Sequence, residues 1–137
     1  MKVVFDTNVF IAAFLTDGLC AGLLVRARRK EFRLFVCPFI LKEFKRILTG
    51  KLKISQQLMA ESVHLIKEAC EDVVQPSQQI TGICRDEDDN NILACVLAAK
   101  ADYLVTGDKG LLEVQQFQGI TIISPRDFEL LFIELIG

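Results

Sequence analysis

Four carboxylates stand where chemistry can be shared between them: Asp6, Glu43, Asp89 and Asp108. Asp6 directly follows Val3-Val4-Phe5, whose β-branched and aromatic residues predict a short strand buried on both faces. Asp108 follows Tyr103-Leu104-Val105-Thr106 and Gly107, a second strand ending in an aspartate. Ligands of an open parallel sheet bind outside the carboxyl ends of its strands, so both acids are expected on one rim. Glu43 comes about one helical turn after the predicted strand Arg33–Cys37 and lies at the edge of an apolar stripe formed by Ile40, Leu41, Phe44, Ile47 and Leu48. Asp89 lies three residues before Ile92, four before Leu93 and seven before Val96, at the leading end of that helix's buried face.

Carboxylates gathered in this way repel one another, and a cation is expected to hold them. An oxygen-only donor set without His or Cys fits Mg²⁺ or Mn²⁺. Such a metal cluster orients and polarises a phosphodiester and activates a water for in-line attack. Plainer roles exist for each residue. Asp6 or Thr7 can cap the helix that follows, Glu43 can snorkel or pair with a cation, and Asp86 with Asp89 can form an ordinary cap. Asp86 and Asp88, in the acidic run Asp86–Asp89, are expected to cap or to stay solvated.

The positioning elements follow from the pattern. Helices are predicted over 8–15, over Gly18 to about Lys30 with Asp17 as cap, from Pro38 to about Leu48, and over Ser55 to about Cys70. Thr49–Lys53 reads as a linker, Val73–Gln75 as a short extended piece and Pro76–Gly82 as a turn-rich connector. A helix running to Lys100, the strand Tyr103–Thr106, a helix over Lys109–Val114, the strand Ile120–Ile123 and a helix from Ser124-Pro125 through Leu135 complete the chain. Strands alternating with helices imply a three-layer α/β/α sandwich around a parallel sheet. The only histidine, His64, has no evident local partner and is expected to be structural or superficial.

At 137 residues the chain is expected to form one domain, 1–137, with a substantial core, and 51% hydrophobic content excludes disorder. No apolar run is long enough to span a membrane, and no signal peptide is expected. Five cysteines with no CxxC point to reduced, mostly buried thiols in a cytoplasmic protein. The net charge of −2 hides an uneven distribution. Residues 1–53 hold eleven Lys/Arg against four Asp/Glu, and residues 54–137 hold five against fourteen. Arg26, Arg28, Arg29, Lys42, Lys45 and Arg46 offer a positive track for a polyanion, with a solvated surface as the alternative. Lys42, Lys45 and Arg46 share a helix with Glu43.

With these residues in view, the chain resembles the PIN-domain family over nearly its whole length. The matching features are VVFDTN at the start, the helical Glu43, RDEDDNNILACVLAAKADYLVTGD, and the last strand with SPRDF. It is most similar to the prokaryotic, VapC-like branch, toxins of toxin–antitoxin pairs. The resemblance implies a metal-dependent ribonuclease acting on single-stranded RNA, with Asp6, Glu43, Asp89 and Asp108 as the acidic metal site. It further implies Asn8 and Thr106 as polar supports, an antitoxin protein as partner and a homodimer as the assembly. A haloacid-dehalogenase-like phosphatase would need an acid where Asn8 stands, and the order of motifs is wrong for a response-regulator receiver. The remaining alternative is a nucleic-acid or protein binding module with a silent nuclease site.

Overall fold

The computed structural model describes residues 1–136, and side chains as far as Ile133. Its order is β1 (Lys2–Phe5), α1 (Thr7–Leu15), α2 (Leu19–Arg28), β2 (Arg33–Val36), α3 (Pro38–Arg46), α4 (Gln56–Ala69), β3 (Cys70–Val73), α5 (Glu87–Ala99), β4 (Tyr103–Val105), α6 (Lys109–Val114), β5 (Gln116–Phe117), β6 (Ile120–Ile123) and α7 (Pro125–Ile136). The strands form one six-stranded sheet in the order β3-β2-β1-β4-β6-β5, parallel except for the β5–β6 pair. Side chains of successive strand residues point to opposite faces. Val3, Val4 and Phe5 are all 0% exposed, so helices cover both faces and the arrangement is a three-layer α/β/α sandwich.

An aromatic cluster seats the terminal helix. Phe32, just before β2, meets Phe128 and Phe132 of α7 at 5.2 and 5.7 Å between ring centroids, and Phe5 of β1 at 5.8 Å. Burying a side chain of this size contributes about 2–3 kcal/mol, so the cluster contributes strongly to seating α7, beside the contact of Arg26 with Glu129 and Phe132.

Several local details differ from the sequence reading. Asp17 does not cap α2; Gly18 occupies that position, and its N–H reaches Thr16 Oγ1 at 3.3 Å. The predicted linker 49–53 begins as helix, because α3 continues into one wider π-helical turn over Ile47–Lys51 that buries Leu48. The extended piece expected at 73–75 starts earlier, at Cys70, and is a full edge strand paired with β2. The antiparallel β5 is a short addition made by a two-residue turn in which Gln118 and Gly119 both have positive φ, 49° and 84°. That mirror-image turn matches the strand twist, and glycine adopts it without strain. His64 has a partner after all, Glu68 one turn on, at 3.0 Å on the surface. All five cysteines are free, and Cys37, Cys70 and Cys95 are buried. Among the described residues no single helix is long and apolar enough to cross a membrane.

Candidate functional site

The chain leaves β1 at Asp6 and turns at once into α1. The backbone of Asp6 continues the sheet, its N–H donating to the Val105 carbonyl at 2.9 Å. Its side chain makes no cap bond to α1. Instead it accepts a hydrogen bond from Thr106 Oγ1 at 2.7 Å, across from β1 to the end of β4. The same hydroxyl oxygen accepts the Asp108 N–H at 3.0 Å. Thr106 is fully buried, so one hydroxyl fixes two acid-bearing positions at neighbouring strand ends.

Glu43 stands on the inner edge of α3. The buried Thr7, first residue of α1, donates its hydroxyl to Glu43 Oε1. Arg46, one turn on, approaches Glu43 only to 4.0 Å and is largely exposed. Asp108 is the cap of α6, its Oδ2 accepting the Leu111 N–H at 3.0 Å. Asp86 caps α5 by accepting the Asp88 N–H at 3.0 Å, and Asp89 follows in the first turn.

These elements meet around one small cavity of about 120 Å³, bordered by Asp6, Glu43, Asp89 and Asp108, with Asp86, Asp88 and Asn8 at its edge. Six carboxylates therefore face a space bordered by no Lys, Arg or His. The electrostatic consequence falls on two of them. Asp6 is raised from 3.8 to about 6, chiefly by burial and further by the charges of Glu43 and Asp108, against the lowering effect of Thr106. Asp89 is raised from 3.8 to about 7, first by burial and then by the charge of Asp108 and a hydrogen bond with it.

Among the described residues, no three His, Cys, Asp or Glu side chains stand close enough to form a ready-made metal cage. The donor set nevertheless fits a hard divalent cation. It is all oxygen, it is self-repelling, and Gly110 keeps room beside two of its members. A Cβ at position 110 would fall 3.1 Å from Asp108 Oδ2 and 3.4 Å from Asp89 Oδ2. A second cavity of about 660 Å³ opens next to the first, sharing Asp86, Asp89 and Asp108 and adding Arg85 and Glu113.

The expected basic track divides. Arg26 does not contribute: it pairs with Glu129 and with Glu31, and its guanidinium lies 4.8 Å from the Phe132 ring centre. Arg28 and Arg29 end the helix that leads into the start of β2, at the end of the sheet opposite the acids. Lys42, Lys45 and Arg46 are exposed on α3, at the acidic end.

Two positioning residues escaped the sequence reading. In the sequence Thr7 is only a candidate cap, yet it holds Glu43. Asn90 is 1% exposed, and its side chain both accepts from Cys84 N–H at 2.9 Å and donates to the Cys84 carbonyl at 3.3 Å. That clamp fixes the loop leading to Asp86 and Asp89. The available signal is an asparagine two residues before Ile92, where the apolar register of α5 begins and a polar side chain is buried only if its bonds are met.

A family model described as PIN domain matches residues 2–110. An uncharacterized protein of Methanocaldococcus jannaschii, MJ1680, is 30% identical over 122 residues, covering 84% of this chain and 76% of the relative. Among solved structures, the fold is similar to a chain of VapBC2 from Rickettsia felis, a complex bound to a DNA fragment from their promoter. The TM-score is 0.65 and the identity 14%, over 90% of this chain and 98% of that one.

Proposed function

The chain belongs to the PIN-domain family, and from that premise we propose that it is a Mg²⁺- or Mn²⁺-dependent endoribonuclease cutting single-stranded RNA. The observation that carries the reading is the cavity bordered by Asp6, Glu43, Asp89 and Asp108, six acidic side chains in all, which meet one cation of the protein's own, the exposed Arg46 at 4.0 Å from Glu43. Those four residues are the proposed metal ligands, with Asn8 at the cavity edge and Thr106 beneath as supports.

A divalent ion bound there supplies Lewis acidity towards a phosphate oxygen and a water of lowered pKa. The protein's part is orientation. Thr106 fixes which oxygen of Asp6 faces the cavity, and Thr7 does the same for Glu43. Asp108 has one oxygen tied to the Leu111 N–H, which leaves the other for the cavity. Without the ion the Asp89 carboxyl is raised to about 7, first by burial and then by Asp108, so an ion held there would have to compete with a proton near neutral pH.

The likeness to a VapBC2 chain supports reading this protein as the toxin of a toxin–antitoxin pair with an antitoxin as partner, and a homodimer is the assembly that the family resemblance implies. Free, largely buried thiols support a cytoplasmic setting for the whole 1–137 domain. The competing reading, a binding module with a silent site, draws on the lack of a ready-made cage. Cleavage of labelled single-stranded RNA with Mg²⁺ or Mn²⁺, against EDTA and against Asp108→Asn, separates the two. Metal-dependent cutting lost in the variant is the expected result; wild-type protein that binds RNA and never cuts it overturns the nuclease reading.

A further inference from the structure

A groove of about 420 Å³ lies between α3 and α4, bordered by Lys42, Lys45 and Lys67 around an apolar floor of Pro38, Leu41 and Val73. Its place in the fold gives it meaning. Pro38 follows the end of β2, and Val73 is the last residue of β3. The groove therefore opens on the same carboxyl rim as Asp6 and Asp108, displaced towards the β3 edge in the order β3-β2-β1-β4, and runs down to Lys67 in the last turn of α4, just ahead of the start of β3. At about 4.8 Å per strand, its open end lies on the order of 5–10 Å along the rim from Asp6.

The charges of this groove are uncommitted. No acid borders it, and among the described residues none of the three lysines forms an ion pair, although Arg26, Arg33 and Arg46 do. All three lysines are exposed, and they come from two helices, so they are not one solvated helix face. Lys67 is far in sequence from the basic segment and belongs to the acidic part of the chain.

We propose that Lys42, Lys45 and Lys67 form a phosphate-binding groove that holds the RNA chain beside the cutting site, on the β3 side. The inference rests on the ribonuclease reading above. Six carboxylates cannot attract a polyanion by themselves, so flanking phosphates need a separate positive seat on the same rim. The groove supplies it, and its apolar floor can take a sugar or base face while the lysines meet the backbone.

The test is binding of labelled single-stranded oligouridine in EDTA, where nothing is cut, followed by fluorescence anisotropy across a salt series. Lys67→Gln is the informative variant, because it lies outside α3 and away from Glu43. Loss of one phosphate contact on a single strand lowers the slope of log affinity against log salt by about 0.7, about fivefold in affinity near 0.1 M salt. Replacing all three lysines by Gln is expected to weaken binding about a hundredfold on the same basis. Lys100→Gln, an equal charge change at the exposed C-cap of α5 ahead of β4, three strands away from β3, is expected to leave affinity and slope as in wild type. Lysine variants that fold as wild type and keep its affinity and slope overturn the groove, and leave an acidic protein segment as its occupant. If the wild-type chain then cuts RNA with Mg²⁺, the groove alone has failed. If binding depends on the lysines but the wild type never cuts, the nuclease reading has failed and the groove stands.

Discussion

Asp6→Asn removes a charge from the most buried carboxylate of the cavity and keeps its shape. Asp6 is 5% exposed, and its pKa rises from 3.8 to about 6, first through burial and then through the nearby Glu43 and Asp108 charges. In the unfolded chain the same group titrates near 3.9. Below about pH 4 both states hold the proton, and the group does not favour either. Between about pH 4 and 6 the folded state binds more protons than the unfolded one, so stability falls as pH rises. Above that window the loss is complete, about 3 kcal/mol at about 1.4 kcal/mol per pH unit. Asparagine carries no such cost, and its amide oxygen can still accept the Thr106 hydroxyl. Urea unfolding in EDTA is therefore expected to show Asp6→Asn more stable than wild type by about 3 kcal/mol near pH 8, with the gap closing by about pH 4. Adding Mg²⁺ or Mn²⁺ at high pH should narrow the gap, because the ion binds only the folded wild-type site. A gap that does not change with pH, or a wild type that is the more stable near pH 8 without metal, would refute the reasoning. The same variant is expected to lose RNA cleavage.

Other perturbations test other parts of the site. Thr106→Val deletes the hydroxyl that holds Asp6 and Asp108, and should lower cleavage or metal affinity 10–100-fold, about the effect of losing a group that orients a ligand; unchanged metal titration and activity would dismiss that role. Gly110→Ala puts a methyl group 3.4 Å from Asp89 Oδ2 and 3.1 Å from Asp108 Oδ2, the oxygen that caps α6, so both acids must shift; weaker metal binding in calorimetry with a retained fold is expected, and unchanged binding would show that the space is not used. Arg26→Ala breaks the part-buried pairing with Glu129 and Glu31 and the contact with Phe132, and should cost about 1–3 kcal/mol in urea unfolding without altering RNA affinity. A weakened RNA affinity would instead restore Arg26 to the nucleic-acid track.

The parallel sheet was readable because its strands are short, mostly apolar runs bounded by an acid, a proline or a glycine: VVF before Asp6, RLFVC before Pro38, YLVT before Gly107. Asp6 and Asp108 were readable on one rim from the same boundaries, and Glu43 and Asp89 from the apolar registers of their helices. What escaped was set by contacts between distant residues. Cys70–Val73 pairs with β2, but its sequence, CEDV, carries two exposed acids on an edge strand and no alternation that marks it. Thr7 and Asn90 hold their partners through side-chain bonds that depend on where Glu43 and Cys84 arrive, which no local pattern states. Arg26 looked like its basic neighbours, and only the docking of α7 brings Glu129 and Phe132 to it.

The topology explains why the acids collect where they do. From β1 the chain builds outwards through β2 to β3, and then returns to place β4 on the other side of β1 and β6 beyond it. Connections after β1 and after β4 thus leave the sheet in opposing directions, and the rim between these two strands is left open as a crevice. Asp6 and Thr106 stand at the two strand ends that border it, bonded to one another at 2.7 Å. Glu43 enters from α3 on the β2 side, and Asp108 and Asp89 from the β4 side and α5. A charge cluster this costly is tolerated because hydrogen bonds from Thr7, Thr106 and the Leu111 N–H are fixed by the same strand ends and helix starts that create the crevice. The surrounding structure thereby over-determines where these acids stand.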